Sequence, residues 1–549
     1  MRESPLRQPL FRTLWLATLV SNIGNWIQDV SNVWLMATLA PDPVMVSLVQ
    51  VANTLPMFLL ALPAGALADV LDRRRWLLAT QTWMMLAAAI MALLTLSNAM
   101  NPWILLLCSF YLSAGAALNS PGWHAVTPEI VSKEDLPAAV TLNGLAINCA
   151  RAIGPGIGGL VLAYLGAGYA FLLNSLSFLA VVYALYTWKR KPQSENLPAE
   201  RFVSAMRVGV QHVRHSTVFL MVLIRSGVFF FFNSGLWALM PLLCKQEYRF
   251  SAQQYGIMLV VYGLGAIGVS TRLLPALRQR LTANQLVGWA WMACVPVPLW
   301  LGYAQDPVTP FLVMLWGGGC SICLLSSFHL AAQSLSPAWV RARAMSVYLL
   351  TFCGAAGLGA VFWGYLARGV GVRQALICSG ICLFLGMITS WSAPIHTGES
   401  FGHEPSHHWE DPEVNVDIPL KHGPVMVVVE YKIAREDQSE FLQAMEKIRR
   451  IRLRNGVIRW GLYLDLAHPE QFREVYLEES WAAHLRQHER VSQYEAEVSQ
   501  HAYKLHRGES MPEVFHYGYC DDSFPLRIEE NRSELGISTH ASAPLWFLD

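Results

Sequence analysis

Three charged side chains lie within long apolar stretches of the sequence: Asp29, Arg151 and Arg225. An ionisable group inside a membrane span costs about 2.5–3.5 kcal/mol even on a lenient insertion scale, so such groups are usually functional or paired. Asn22 and Asn25 precede Asp29 at helical spacing, which places the three polar side chains on one helix face. A carboxyl group in such a place can bind and release a proton. Asp29 is therefore a candidate for proton coupling, and an Asp29–Arg151 ion pair that fixes helix packing is the structural alternative.

The composition predicts a membrane protein with a soluble extension. Of the 549 residues 54% are hydrophobic and only 14% are charged, which excludes an ordinary soluble protein of this length. Residues 1–393 hold 24 Lys and Arg against 12 Asp and Glu, whereas residues 394–549 hold 16 against 27. The sequence contains no phosphate-binding loop motif, so ATP is not expected to supply energy. We expect no cofactor, no metal site and no nucleic-acid partner.

Twelve apolar windows before residue 394 are long enough to cross a bilayer, and they predict an all-α membrane part of two six-helix halves. An even number of spans leaves both ends on one side. With the N-terminus inside, eighteen Lys and Arg fall in the inner segments and four in the outer loops. Because basic loops stay in the cytoplasm, we expect a multi-pass protein of the bacterial inner membrane with both termini cytoplasmic.

The predicted domain boundaries follow these changes in composition. The order is an N-terminal half (1–188), a cytoplasmic linker with an amphipathic helix (189–217), a C-terminal half (218–393), a polar linker (394–423), a soluble α+β domain (424–522) and a tail (523–549).

Between the second and third windows the chain carries a compact motif of charged and small residues. Its members are Gly65, Asp69, Asp72, Arg73 and Arg74. The pattern resembles the loop between helices 2 and 3 of the major facilitator superfamily, with Asp72 where many members have glycine, a variant of the enterobactin-exporter-like branch. The resemblance implies a conformational gate in which Asp69 faces the start of span 11. Arg73 would then need an acidic partner, and Glu129 is the nearest candidate.

The fifth window contains a glycine-rich motif with a central proline, formed by Gly154, Pro155, Gly158 and Gly159. Glycines allow close helix approach, and proline bends a helix, as a hinge requires. The motif resembles the signature of facilitator antiporters, which implies export. In that fold spans 1, 4, 7 and 10 line the cavity, so the resemblance places Asp29 and Arg225 there.

After the linker, strand and helix patterns follow the order β-α-β-β-α-β, which predicts a ferredoxin-like domain. The stretches around Trp460 and Trp481 resemble the transmembrane secretion effector family, and the domain alone resembles antibiotic-biosynthesis monooxygenases. Trp481, His484 and His488 share one helix face, either as a catalytic site or as a solvated or subunit-facing surface. We expect dimerisation through the open sheet face, with Trp460, Tyr463 and Tyr476 in the contact.

These features predict a proton-coupled secondary exporter of a small metabolite, siderophore- or antibiotic-like. Two alternatives stay open at this point: an importer of the same fold, and a membrane-tethered monooxygenase whose soluble domain is catalytic.

Overall fold

The computed structural model describes residues 5–132, 135–188, 202–337, 339–389, 393–395, 418–491, 493–508 and 510–520. The chain forms two compact units, Met1–Phe401 and Gly402–Asp549. The polar linker predicted to follow residue 393 and the tail after residue 522 lie almost wholly outside the described residues.

The first half of the membrane unit consists of six long helices. They are α1 (Pro9–Leu39), α2 (Pro43–Val70), α3 (Arg73–Leu96), α4 (Pro102–Ile130), α5 (Leu136–Tyr164) and α6 (Ala167–Thr187). Three of the starts are capped by side chains: Asp42, Asp72 and Asn101 each accept a hydrogen bond from a backbone N–H of the following turn. The residues before the helices thus set where the chain turns back.

The second half is more irregular. Its helices are α7 (Phe202–His215), α8 (Thr217–Leu242), α9 (Ala252–Gly268), α10 (Leu274–Arg280), α11 (Ala283–Cys294), α12 (Pro296–Tyr303), α13 (Thr309–Ser334), α14 (Arg341–Val370) and α15 (Val372–Gly386). A π-helical turn, Val269–Leu273, joins α9 to α10. The apolar stretch of α11 and α12 is interrupted at Pro296, which cannot donate the helical hydrogen bond.

Within the described residues, ten helical stretches are long and apolar enough to cross a membrane. They run from α2 through α6 and from α8 through α14, with α9–α10 and α11–α12 each counted as one. The helix α1, 31 residues long, and the shorter apolar helix α15 are outside that set. The prediction of an all-α membrane part is confirmed by these ten stretches, whereas the number of twelve spans is not.

The soluble unit contains a four-stranded antiparallel sheet. Its elements are β1 (Val425–Lys432), α16 (Gln438–Arg454), β2 (Arg459–Leu464), β3 (Gln471–Glu478), α17 (Trp481–Arg490), α18 (Gln493–Lys504) and β4 (Glu513–Gly518). The strand order is β2-β3-β1-β4. Two helices, α17 and α18, replace the single helix predicted before the last strand.

The strand register corrects the expected dimer contact. Val427 on β1 is buried in the core cluster, and it pairs with Tyr476, which in turn pairs with Trp460. Directly paired residues point to the same side of a sheet, so Trp460 and Tyr476 belong to the helix-covered face. The prediction that they lie on the open face is wrong. Tyr463 is 59% exposed.

Candidate functional site

The two halves contact each other at the end of the helix bundle where α1 ends and α2 begins, here named the closed end. Lys245 Nζ lies 3.1 Å from the carbonyl oxygen of Ala37 and 2.8 Å from Thr38 Oγ1, and it donates to both. The Arg368 guanidinium is 3.9 Å from the Asp42 carboxylate. Each of these contacts joins the first half to the second.

The glycine-rich motif of α5 forms part of this contact. A Cβ on Gly159 would lie 2.5 Å from the Cα of Gly256 in α9, so only glycine permits this approach. On the opposite side of α5, Gly154 and Gly158 pack against Trp26 and Ile27 of α1. The motif therefore lets α5 pack closely against both its own half and the other half.

A second contact between the halves joins α2 to α14, and it loosens away from the closed end. A Cβ on Gly364 would lie 2.3 Å from Ser47 Oγ, one on Gly357 would lie 3.0 Å from Thr54 Oγ1, and one on Gly354 would lie 3.2 Å from the Phe58 ring. The distances increase from the start of α2 towards its middle. At these three glycines the clearance is smallest near the closed end.

The face of α1 that carries Asp29 differs in burial along the helix. Met36 lies seven residues, or about 10.5 Å, further along the same face, and it is fully buried in a core cluster that contains residues of both halves. Asp29 itself is exposed, whereas Asn22 and Asn25 are half-buried. The same helix face is therefore buried at Met36 and exposed at Asp29.

Asp29 forms no hydrogen bond or ion pair with any residue that the structure describes, Arg151 included. Its neighbours on α1 instead belong to a polar network: Asn174 of α6 donates to Asn25 Oδ1 at 3.3 Å and to Gln28 Oε1 at 2.6 Å. The Asp29–Arg151 ion pair, which was the structural alternative, is absent from this conformation among the described residues. The sequence analysis missed Gln28 and Asn174, although both are polar residues within apolar spans.

Arg225 does not line an open cavity, which corrects its predicted place. It is fully buried in the second half, where its guanidinium donates to Asn284 Oδ1 and lies 3.5 Å from the carbonyl oxygen of Ala393. Asn284 Oδ1 also accepts from the backbone N–H of Ile395 at 3.2 Å. Arg225 thus fastens the chain after α15 to the start of α11.

The loop between α2 and α3 is held within the first half. Arg73 forms the expected ion pair with Glu129 at the end of α4. Arg74 donates to the carbonyl oxygens of Leu185 and Tyr186 at 3.0 and 2.6 Å. Asp72 Oδ1 accepts from the backbone N–H of Arg75 and caps α3. Gly65 and Asp69 lie in the last turns of α2, and the side chain of Asp69 is outside the described part of the chain.

In the soluble unit, Trp481 and His484 are buried rather than placed on a solvated or subunit-facing surface. His484 meets His488 on the same helix and His516 on β4, and nitrogen atoms of all three rings lie within 4.8 Å of one another. Burial and His484 lower the pKa of His516 to about 4. His516 was missed because it is 28 positions after His488, and only the sheet brings the two together.

A protein-family model matches nearly the whole chain. The family model described as transmembrane secretion effector matches residues 2–521. The chain belongs to the transmembrane secretion effector family. It is a transporter of the major facilitator superfamily and not an enzyme, so the membrane-tethered monooxygenase alternative is not supported.

Two curated relatives of this family member are transporters. The chain is 24% identical over 408 residues to the multidrug efflux pump Tap of Mycolicibacterium fortuitum. The aligned region covers 70% of this chain and 95% of the pump. It is 26% identical over 260 residues to the staphyloferrin A transporter of Staphylococcus aureus (strain NCTC 8325 / PS 47), covering 46% of this chain and 64% of that protein. The latter match thus spans less than two thirds of the relative.

Two solved structures share the fold. A bacterial homologue of the human lysosomal transporter Spinster, inward-facing and unoccupied, has a TM-score of 0.57 at 14% identity, covering 71% of this chain and 98% of that one. A bacterial homologue of the iron transporter ferroportin, inward-facing, has a TM-score of 0.57 at 16% identity, covering 71% and 99%.

Proposed function

We propose that this family member is a secondary active exporter that moves a small metabolite across the bacterial inner membrane by alternating access. The observation that carries the proposal is the closed end, where α5 meets α9 and α2 meets α14 through glycines. Contacts made by small residues can separate with little rearrangement of side chains. Opening here, with closure at the opposite end, would expose the gap between the halves to each side in turn.

The proposed direction of transport is export. With the predicted twelve spans and both termini in the cytoplasm, the closed end faces outward. An exporter takes up its cargo in a conformation that is closed on this side. The efflux activity named for the relative Tap supports export, and so does the glycine-rich motif of α5.

The proposed cargo class rests on one apolar and one polar surface of the membrane part. An apolar recess of about 450 Å³ lies between α2, α8 and α14, lined by Phe58, Phe231, Phe232 and Leu358 among others. The α1 face with Asn22, Asn25 and Asp29 supplies polar groups. This combination suits an amphipathic molecule, and the name of the staphyloferrin A transporter supports a siderophore-like cargo.

Protons are the proposed energy source, with Asp29 as the coupling residue. Asp29 is exposed on the α1 face that is buried at Met36, and no described side chain pairs with it. A group in that position can accept a proton from one side and release it to the other as the halves move. Arg151 lies on α5, beside α1, and would be the cation that Asp29 meets in another conformation.

The soluble unit is proposed to be a ferredoxin-like module that assembles two chains and regulates transport. Its open sheet face exposes Tyr463, Phe515 and Tyr517, all at least 37% exposed, and apolar faces of this kind are commonly buried against a second copy. Phe515→Glu should convert a dimer of the purified full-length protein into a monomer. An unchanged molar mass by light scattering would exclude this face.

The function is tested by comparing metabolites released by a deletion strain and its parent. The strain is complemented with the wild type, with Asp29→Asn, or with the control Asp306→Asn. In the control, the amide oxygen of the new asparagine can still accept the hydrogen bond from the backbone N–H of Thr309 at the start of α13. Export is supported if the deletion strain no longer releases a metabolite and if the wild type and Asp306→Asn restore its release while Asp29→Asn does not. Loss of its uptake from the medium would instead support the importer alternative, and unchanged release and uptake would contradict both.

A further inference from the structure

We propose that His484, His488 and His516 of the soluble unit form a binding site for one divalent transition-metal ion, with Zn²⁺ as the expected ion. The proposal concerns the soluble unit alone and does not depend on the direction or the cargo of transport. It rests on the convergence of three imidazoles and on a buried carboxylate behind one of them.

The three rings come from two elements that face each other. His484 and His488 are four residues apart on α17, and this spacing places them on one helix face. His516 pairs with Val427 of β1, which points into the core, so its ring lies on the sheet face that the helices cover. Ring centroids of His484 and His516 are 4.7 Å apart.

The distances suit metal ligation. His484 Nε2 and His488 Nε2 are 3.2 Å apart. Two nitrogens bound to one tetrahedral zinc, each at about 2.0–2.1 Å, are about 3.3 Å apart. Nitrogens of all three rings lie within 4.8 Å of one another, so small ring rotations would bring the third into the same coordination sphere. Three histidines leave a fourth position for water, as in open zinc sites.

The second observation is Glu478, the last residue of β3. It is 3% exposed, and neither carboxylate oxygen has a hydrogen-bond partner among the described residues. Glu478 Oε2 is 3.3 Å from His484 Nδ1, while His484 Nε2 faces His488. A carboxylate at the ring nitrogen that does not bind metal is the usual orienting group behind a metal-bound histidine.

Electrostatics favours a cation over the alternative of a packed histidine cluster. A buried carboxylate needs a positive charge close by, and the His484 ring, 3.3 Å from Glu478, carries one only when it is protonated. A dication among the three rings would supply the missing positive charge. Imidazole ligands select zinc, copper or nickel over Mg²⁺ and Ca²⁺, which prefer oxygen.

Solvent reaches two of the three histidines, and the third is buried. His484 is 1% exposed, whereas His488 and His516 are half-buried. The Trp481 ring packs on His484 with centroids 5.3 Å apart. An ion can therefore arrive past His488 and His516 and be held on the side away from Trp481. It would fasten the edge strand β4 to α17.

The test uses the full-length protein, purified in detergent without a histidine tag and stripped with EDTA. Calorimetric titration with Zn²⁺ should give one site per chain, and Co²⁺ should give the absorption bands of tetrahedral nitrogen ligation. His516→Gln and His488→Gln should each weaken Zn²⁺ binding at least about 10-fold, and Glu478→Gln about 10–100-fold. The control His468→Gln alters a histidine in an exposed loop and should bind as the wild type does.

The Co²⁺ spectrum separates loss of ligands from loss of folding. His488 is half-exposed, so its replacement should leave the soluble unit folded, as circular dichroism would verify. Absence of Zn²⁺ binding by the wild type at micromolar concentrations would overturn the proposal. So would affinity and Co²⁺ spectra that are the same in the wild type, His488→Gln and His516→Gln.

Discussion

At the scale of single residues, the position of Asp29 bears on two hypotheses that its sequence context leaves open. A structural role would require an ion pair, and Asp29 has none among the described residues. An exposed carboxylate on a face that is buried two turns further along is what a coupling site needs. Its neighbours Asn25 and Gln28 are instead fixed by Asn174.

Asp29→Asn should abolish proton-driven transport while leaving the fold intact, because the amide fills the same space but cannot exchange a proton. In proteoliposomes with an imposed pH gradient, we expect uphill transport to fall by at least about 100-fold, equivalent to about 2.7 kcal/mol. Cargo exchange without a gradient should persist. Asp306→Asn is the matched control, and uphill transport by Asp29→Asn at the wild-type rate would contradict the role.

In the soluble unit, Glu474 is the residue on which a buried polar network depends. Its carboxylate accepts hydrogen bonds from Arg452, Trp460 and Tyr431 at 3.1, 2.9 and 3.2 Å. Glu474→Gln removes the charged partner of the buried Arg452, and breaking a buried ion pair in this way costs about 3–5 kcal/mol.

Hydrogen exchange of the full-length protein measures this loss locally. Amide protection in β1 and β3 should fall in Glu474→Gln, and the control Glu470→Gln, at an exposed position, should retain it. Equal protection in both variants would show that the network contributes little to stability.

At the scale of elements, the sequence predicts more of the helices than of their contacts. Apolar length and caps define the spans, because a helix in lipid must satisfy its own backbone. The contacts of Arg225 could not be predicted, since Asn284 and Ala393 come from distant elements. The sheet gives a similar case. Alternation of apolar and polar residues predicts the strands, but the sheet face on which Trp460 lies is known only from its pairing with Tyr476 on β3.

The α5–α9 contact provides a test at this scale. Gly159→Val should hold the closed end apart, because a Cβ at this position would lie 2.5 Å from the Gly256 backbone. Gly144→Val is the control in the same helix, where an added Cβ meets nothing within 4 Å. We expect spin labels on opposite halves at the closed end to move apart only in Gly159→Val. The same distance distribution in both variants would exclude α5–α9 as the closing contact.

At the scale of the whole molecule, the chain combines a membrane transporter with a second compact unit. Twelve apolar windows and a change in composition after residue 393 predict this division, because burial in lipid and burial in a soluble core require different sequences. The cluster of three histidines was not predictable at that level. His484 and His488 are visible as a helical pair, but the third histidine joins them only through the sheet order.

The central claim is that transport requires the two halves to separate at the closed end. Reversible crosslinking tests it most directly, in a background without native cysteines that still transports. The charged groups of Asp42 and Arg368, one from each half, are 3.9 Å apart. Cysteines that replace these two residues would join the halves when crosslinked. Cysteines replacing Glu247 and Arg373 join two residues of the second half alone, with charged groups 2.6 Å apart.

A short thiol crosslinker should stop transport through the Asp42–Arg368 pair, and reductant should restore it. The Glu247–Arg373 pair should transport at the same rate before and after crosslinking. Crosslinking between the halves, verified by mass spectrometry, that leaves transport unchanged would contradict alternating access at this end of the molecule.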